Sequence, residues 1–439
     1  MTSSAPRLLI VDQSLRDMAG HHYEYDVALF RAAAAAGIQV IVGAHASVQA
    51  LDLLGDNVRP WFQRAWYEAP RIPVTDPRKP VLAWLPSRVR APLARLARRI
   101  IGPRTHAAAP APAGMGFGWE VLALIRAERF GVNDHVLVHT FGIPELDALI
   151  ELARTHDDVP LIHVIFRRDA EEPSVADGPD GGVRGSFMRI ASSPSAVAIM
   201  RLYADTEALA RQYGALAPGL DIGVIPIPHC LPDDPSESSR ADGPLRIVYL
   251  GDARGEKGFH LLPDLVDALA DNFLRSLRAR FVLQGNISVA GDNEVLSAAR
   301  QRLAAYPDEH VELITEQLDV PAFHTLVRSA DIVLLPYDAQ AYARRSSGIL
   351  VQALAAGQVV VAPSGTWLAS QADPAASVLF DGEAGLAAAV TQAIERWPSL
   401  SEAARAGSAA FRAQHDASRY IAQLLRAGNK RNELKASVR

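Results

Sequence analysis

Short apolar runs alternate with helix-length segments along most of the chain. Leu8 to Val11 reads as a buried strand ahead of Asp12, residues 23–36 as a helix closed by Gly37, and residues 39–44 as the next strand. Further runs at 135–139, 161–166 and 221–228 extend the series, with a helix over 205–213 before the last of them. Strands alternating with helices predict a parallel, doubly wound sheet, because parallel neighbours need a crossover between them.

The alternation lapses over 232–244, where Pro, Ser and Asp accumulate without apolar periodicity. That composition predicts a linker at 236–244 after a first domain of 1–235. Apolar runs then resume at 245–250, 279–284, 310–314, 331–336, 358–362 and 377–380, with helices expected from about His260, Asn293, Pro321 and Ser347. Residues 245–398 therefore read as a second Rossmann-like domain, and 399–439 as a helix with a frayed basic tail.

Between Pro60 and Gly118 the pattern breaks in a stretch rich in Pro, Trp and Arg, which reads as an insertion in the first domain. Within it, 85–104 carries six arginines and no acid, and Leu93, Leu96, Ala97 and Ile100 share one helical face. Such a helix suits either peripheral contact with an anionic membrane or packing on the domain with its arginines in water.

Composition narrows the function. The net charge of −5 argues against a nucleic-acid-binding role. With Cys230 the only cysteine, no intramolecular disulfide or cysteine-based zinc site forms. The longest apolar stretch, 348–363, is interrupted at Gly357, and the amino terminus has no signal-peptide core, so a cytoplasmic protein is expected.

Two stretches of the second domain carry candidate chemistry. YLGDARGEKGFHLLPDL (249–265) is a strand, a charged loop containing Gly251, Arg254, Lys257 and Gly258, and a helix. Backbone N–H groups at such a turn suit an anion, and the two cations reinforce them. No Ser or Thr follows Lys257, so it is not a Walker A loop. In the second stretch, a strand ending at Pro336 leads to Ser346, Ser347 and Gly348 at a helix start, a further phosphate cradle. Both loops follow strand carboxyl ends, where ligands of open sheets bind, and two cradles suggest a diphosphate.

The order of these motifs resembles that of the GT-B glycosyltransferases, most closely the retaining GT4 group. YLGDARGEKG, LLPY, SSGILVQALAAG and QVVVA stand where that family has its glycine, basic residue and Lys-Gly pair, its strand ending in Pro, its E-x7-E helix and its Val-rich strand. MAGHHYEY (18–25) matches the Gly-rich loop of the first domain more loosely. The resemblance implies two Rossmann-like domains facing across a cleft, and a UDP- or GDP-sugar donor bound by the second. It also implies a glycan, glycolipid or metabolite acceptor, retention of configuration, and no cofactor beyond the donor.

On this alignment Arg254 and Lys257 are catalytic, stabilising the departing diphosphate without a metal. Gly251, Gly258, Arg344, Ser346, Ser347, Gly348 and Gln352 bind the donor. Arg344 and Gln352 stand where the family has its two glutamates, and a nucleotide-binding scaffold without transfer is the alternative that this degeneracy raises, beside a sugar-nucleotide epimerase. In the first domain His21 and His22 are candidates for moving a proton, with Gly20, Glu24, Arg167, Arg168 and Asp169 on the acceptor side. His21 and Glu24 lack the spacing of a zinc motif, and His139 and His163 read as structural.

Overall fold

The computed structural model describes residues 5–18, 21–49, 51–66, 68, 116–176, 181–232, 243–286 and 294–426. Gly20, the 85–104 segment and most of the linker lie outside them.

Two parallel sheets organise the chain. The first holds β1 (Leu8–Val11), β2 (Val40–His45), β3 (Val58–Phe62), β4 (His135–Val138), β5 (Leu161–Phe166), β6 (Met200–Ala204) and β7 (Ile222–Val224), in the order β3-β2-β1-β4-β5-β6-β7. The second holds β8 (Leu245–Tyr249), β9 (Ala279–Gln284), β10 (Val311–Ile314), β11 (Ile332–Leu334), β12 (Val359–Pro363) and β13 (Ser377–Phe380), in the order β10-β9-β8-β11-β12-β13. The order reverses beside β1 and β4 in the first sheet and beside β8 and β11 in the second, which opens a crevice at the carboxyl ends of those strands. The first sheet takes in Pro60–Phe62, so the sheet reaches into the start of the expected insertion.

Helices cover both faces, which explains why the strands are apolar without alternation. Leu8 and Ile10 of β1 pack with Leu29 and Ala33 of the helix α1 (His21–Ala35), whereas Leu9 and Val11 point the opposite way, towards Leu124 and Leu149. The α1-side cluster continues through Ile227 and Tyr420 into Val248 and Val333 of the second domain, so the domains meet over apolar surface.

The carboxyl-terminal helices close the fold. The Trp397–Gln414 helix belongs to the second domain, where Leu400 and Ala404 join its core. The chain then turns at His415, whose Nδ1 donates to Ile227 O at 2.7 Å, and a helix over 417–426 lies against the first domain. There Tyr25 Oη donates to Tyr420 Oη at 3.0 Å and Gln423 Nε2 to Val224 O at 2.7 Å. No described helix is long and apolar enough to cross a membrane.

Candidate active site

The cradle in the second domain is built on two glycines. Gly258 has φ +71°, and a Cβ there would lie 1.8 Å from Pro336 O, so the charged loop sits directly on the end of β11. Gly251, at φ +91°, has Lys257 Nζ and Ile349 Cδ1 over its α-carbon, each 2.7 Å from where a Cβ would stand. The ammonium is thereby inserted between the loop after β8 and the start of the Gly348–Ala355 helix, and it lies 6.0 Å from the Tyr337 ring centroid. Burial, then the Arg254 charge, pushes its pKa down to about 8, against the weaker pull of Asp252 and Glu256.

Arg254 is oriented by Asp252, which accepts from Nη2 at 2.9 Å and is itself held by Asn286 Nδ2 at 2.8 Å. Arg254 Nε and Asn286 Oδ1 are buried without protein partners. At the helix start, Ser347 Oγ caps Leu350 N at 3.3 Å, leaving the first-turn amides without intrahelical acceptors. Two cations, orphaned buried polar atoms and a helix amino terminus thus converge on one crevice, a combination suited to a polyanion. Arg345, stacked 5.0 Å over the Tyr342 ring, adds a charge felt at Lys257.

The first domain presents a chain of carboxylates and imidazoles at the ends of β1 and β4. His22 Nδ1 donates to Asp12 Oδ2 at 2.6 Å, and His139 Nε2 donates to Asp26 Oδ1 at 2.8 Å while lying 3.9 Å from Asp12 Oδ2. Asp12, Asp26 and His139 are buried, and the Tyr25 ring packs 4.6 Å from His139. Burial works against a charged Asp12, but the His22 charge and hydrogen bond overcome it and hold the carboxyl well below its usual range. His22 shows the complement: burial is outweighed by the Asp12 charge and bond, and its pKa rises. Burial pushes Asp26 up to about 6 against the pull of His139. Asp12, Asp26 and His139 bring ligand-type atoms within 4.8 Å of one another, but His139 Nε2, the nitrogen a cation would take, already donates to Asp26.

Several expected site residues join the two domains. Arg344 Nη1 donates to Asp169 Oδ2 at 2.8 Å and lies 3.4 Å from Glu171, and Thr206 Oγ1 donates to Arg344 O at 2.8 Å. Ser346 Oγ donates to Asp205 Oδ2 at 2.5 Å, where Arg167 Nε also reaches the carboxylate at 3.4 Å. Gln352 is buried, and its Oε1 accepts from Cys230 N at 3.2 Å. Glu24 pairs with His324 across the domains. Arg168 pairs with Glu172 and stacks 5.2 Å over Trp66. His21 opens α1, and Gly20 lies outside the described residues.

Asp12, Asp26, Asp205 and Tyr337 were not singled out from the sequence, and His139, read as structural, belongs to the chain of groups. Asp12 had a signal, as a carboxylate ending an apolar strand ten residues before His22. Asp26 and Asp205 had none, since only the fold brings them to the crevice.

No known family description matches the chain, and no curated protein matches it in sequence. Solved structures do match in fold. The chain is similar to Anabaena HepE in complex with UDP (TM-score 0.57, 14% identity, covering 98% of this chain and 100% of that one). It is also similar to sucrose-phosphate synthase from Thermosynechococcus elongatus (TM-score 0.58, 13% identity, 99% and 100% covered). A third match is the E. coli trehalose-6-phosphate protein bound with UDP-2-fluoro glucose (TM-score 0.59, 13% identity, 95% and 99% covered). The architecture is GT-B, two Rossmann-like domains facing across a cleft.

Proposed function

We propose that the protein is a glycosyltransferase that moves a sugar from a nucleotide-sugar donor, UDP-linked in the first instance, to a hydroxyl of a glycan, glycolipid or metabolite. The observation that carries this reading is the cradle of Arg254, Lys257 and the Gly348 helix start, where a buried ammonium beside a second cation suits an anion. Fixed cations and first-turn amides supply the charge stabilisation that a departing diphosphate needs, so transfer proceeds without a divalent metal. The UDP in the HepE structure and the UDP-2-fluoro glucose in the E. coli structure favour UDP over GDP. The GT4 resemblance implies retention of configuration, and 85–104 remains a proposed membrane contact, testable by cosedimentation with anionic vesicles.

The test is release of nucleoside diphosphate from a panel of UDP- and GDP-sugars, before and after exhaustive chelation. Calorimetric titration of UDP into parent and Lys257→Ala protein accompanies it. Release that persists under chelation and UDP binding that depends on Lys257 support the reading; UDP binding indifferent to Lys257 and Arg254 defeats it. A second reading, a nucleotide-binding scaffold, draws on Arg344 and Gln352, whose side chains are engaged across the domains. UDP binding with no turnover of any sugar nucleotide favours it.

A further inference from the structure

We infer that Asp205 of the first domain is a positioning residue for the nucleotide site of the second: through Ser346 it holds the segment that leads into the Gly348 helix start, without itself touching the ligand. The inference rests on the proposed nucleotide-sugar reading of that cradle.

Two strand ends supply the anchor. Asp205 follows β6, is buried, and donates its backbone N–H to Phe166 O at the end of β5, at 3.2 Å. Arg167, the residue after Phe166, reaches the Asp205 carboxylate with Nε at 3.4 Å and lies 4.9 Å over the Tyr25 ring, so the carboxylate is balanced and held on its own domain. From the other domain Ser346 Oγ donates to Asp205 Oδ2 at 2.5 Å. The next residue adds a second hold. Thr206 Oγ1 donates to Arg344 O at 2.8 Å, and the same oxygen accepts from Leu209 N at 3.0 Å, capping the helix Glu207–Leu216.

The segment held in this way is irregular and enters the cradle directly. Between β11 and the Gly348–Ala355 helix, Asp338 N donates to Glu256 O at 2.9 Å and Trp367 N to Tyr342 O at 3.1 Å, which ties the early part to the second domain. Further along, Arg344 and Ser346 bond to the first domain instead. Ser347 then caps the helix, and a Cβ on Gly348 would meet nothing within 4 Å, so there is room for a ligand beside the helix start. Ordering an irregular segment costs conformational entropy, so a segment already fixed binds a ligand more tightly than one the ligand must order. Asp205 and Thr206 therefore raise nucleotide affinity from the opposite domain.

Calorimetric titration with UDP tests this. Asp205→Ala is expected to weaken binding about tenfold, and Asp205→Asn less, because its amide oxygen still accepts from Ser346. Adding Asp205→Ala to Ser346→Ala is expected to weaken binding no further than Ser346→Ala alone, since both break one link. Should Asp205→Ala not fold, Asp205→Asn and Ser346→Ala, with their double variant, carry the same comparison. Hydrogen exchange at 206–210 gives a readout that mere destabilisation of the first domain would not: UDP is expected to slow exchange there in the parent and not in Ser346→Ala. Additive losses, unchanged affinity in the Asp205 variants, or equal protection by UDP in parent and Ser346→Ala overturn the inference and leave the cradle standing, which Lys257→Ala tests separately. Failure of the parent to bind UDP removes the nucleotide-sugar reading and the inference with it.

Discussion

Arg344 of the second domain and Asp169 of the first meet across the cleft, Nη1 to Oδ2 at 2.8 Å. Asp169 is further held by Gln212 Nε2, which donates to Oδ1 at 2.6 Å, so each carboxylate oxygen has its own donor. Gln212 and Arg344, behind burial in effect and against it in direction, keep the Asp169 carboxyl below its usual pKa. Arg344, expected from the sequence to contact the donor, is thus engaged in joining the domains.

That pair should couple the domains only weakly, because the arginine side chain is 39% exposed. A double-mutant cycle of Arg344→Ala and Asp169→Asn, read by thermal denaturation, is expected to return about 0.5 to 1 kcal/mol. A coupling several times larger would mean that the pair is a main fastening of the two domains.

Lys257 should make nucleotide binding pH-dependent. Its pKa is depressed to about 8, so the ammonium is charged near pH 7 and is lost as pH rises through 8. UDP affinity is therefore expected to fall between pH 7 and 9.5. Lys257→Ala is expected to weaken binding about tenfold or more at pH 7 and to flatten that profile, both measurable by calorimetry.

Gly258→Ala should destabilise the second domain. The substitution combines a left-handed backbone with a Cβ set 1.8 Å from Pro336 O, and the expected loss is about 3 kcal/mol or more in urea denaturation. Gly251→Ala is expected to act differently, because the atoms it meets include the movable Lys257 ammonium, and its main effect should be weaker UDP binding.

The buried histidines of the first sheet should make it acid-sensitive. His135 Nδ1 and His163 Nε2 lie 2.9 Å apart, and His163 stacks on Tyr203 with ring centroids 5.8 Å apart. Burial pushes His135 down to about 4 and His163 well below its ordinary value. Unfolded histidines take up protons near 6.5. The stability that these neutral side chains carry is therefore present above that pH and lost as pH falls from 6.5 towards 4. Urea denaturation at pH 7.5 and 5.5 should show a smaller loss in His163→Phe, which keeps a ring in the stack, than in the parent.

Much of the architecture is legible from strand periodicity. LLIV, LIHVIF and QVVVA are buried on both faces, so their apolar runs are continuous and easily read. β6 is not legible in the same way, since MRLYA interrupts its run with Arg201 and follows directly on the Pro194–Ile199 helix. β3 hides for a similar reason, with Pro60 and the half-exposed Arg59 at a sheet edge. In the site, Arg254, Lys257 and the Ser347 cap follow from local motifs. The partners of Gln352, Arg344 and Glu24 are Cys230, Asp169 and His324, which are remote in sequence and meet only when the two domains dock.

The return of the 417–426 helix to the first domain means that the chain passes between the domains twice, once between β7 and β8 and once at His415. The two passages are themselves bonded, His229 N donating to His415 O at 2.8 Å. A body attached at one point can swivel about three axes, whereas attachment at two points leaves one. Any opening of the cleft would thus be confined to rotation about the line through the two crossings, like a door on paired hinges, and would keep the two walls in register.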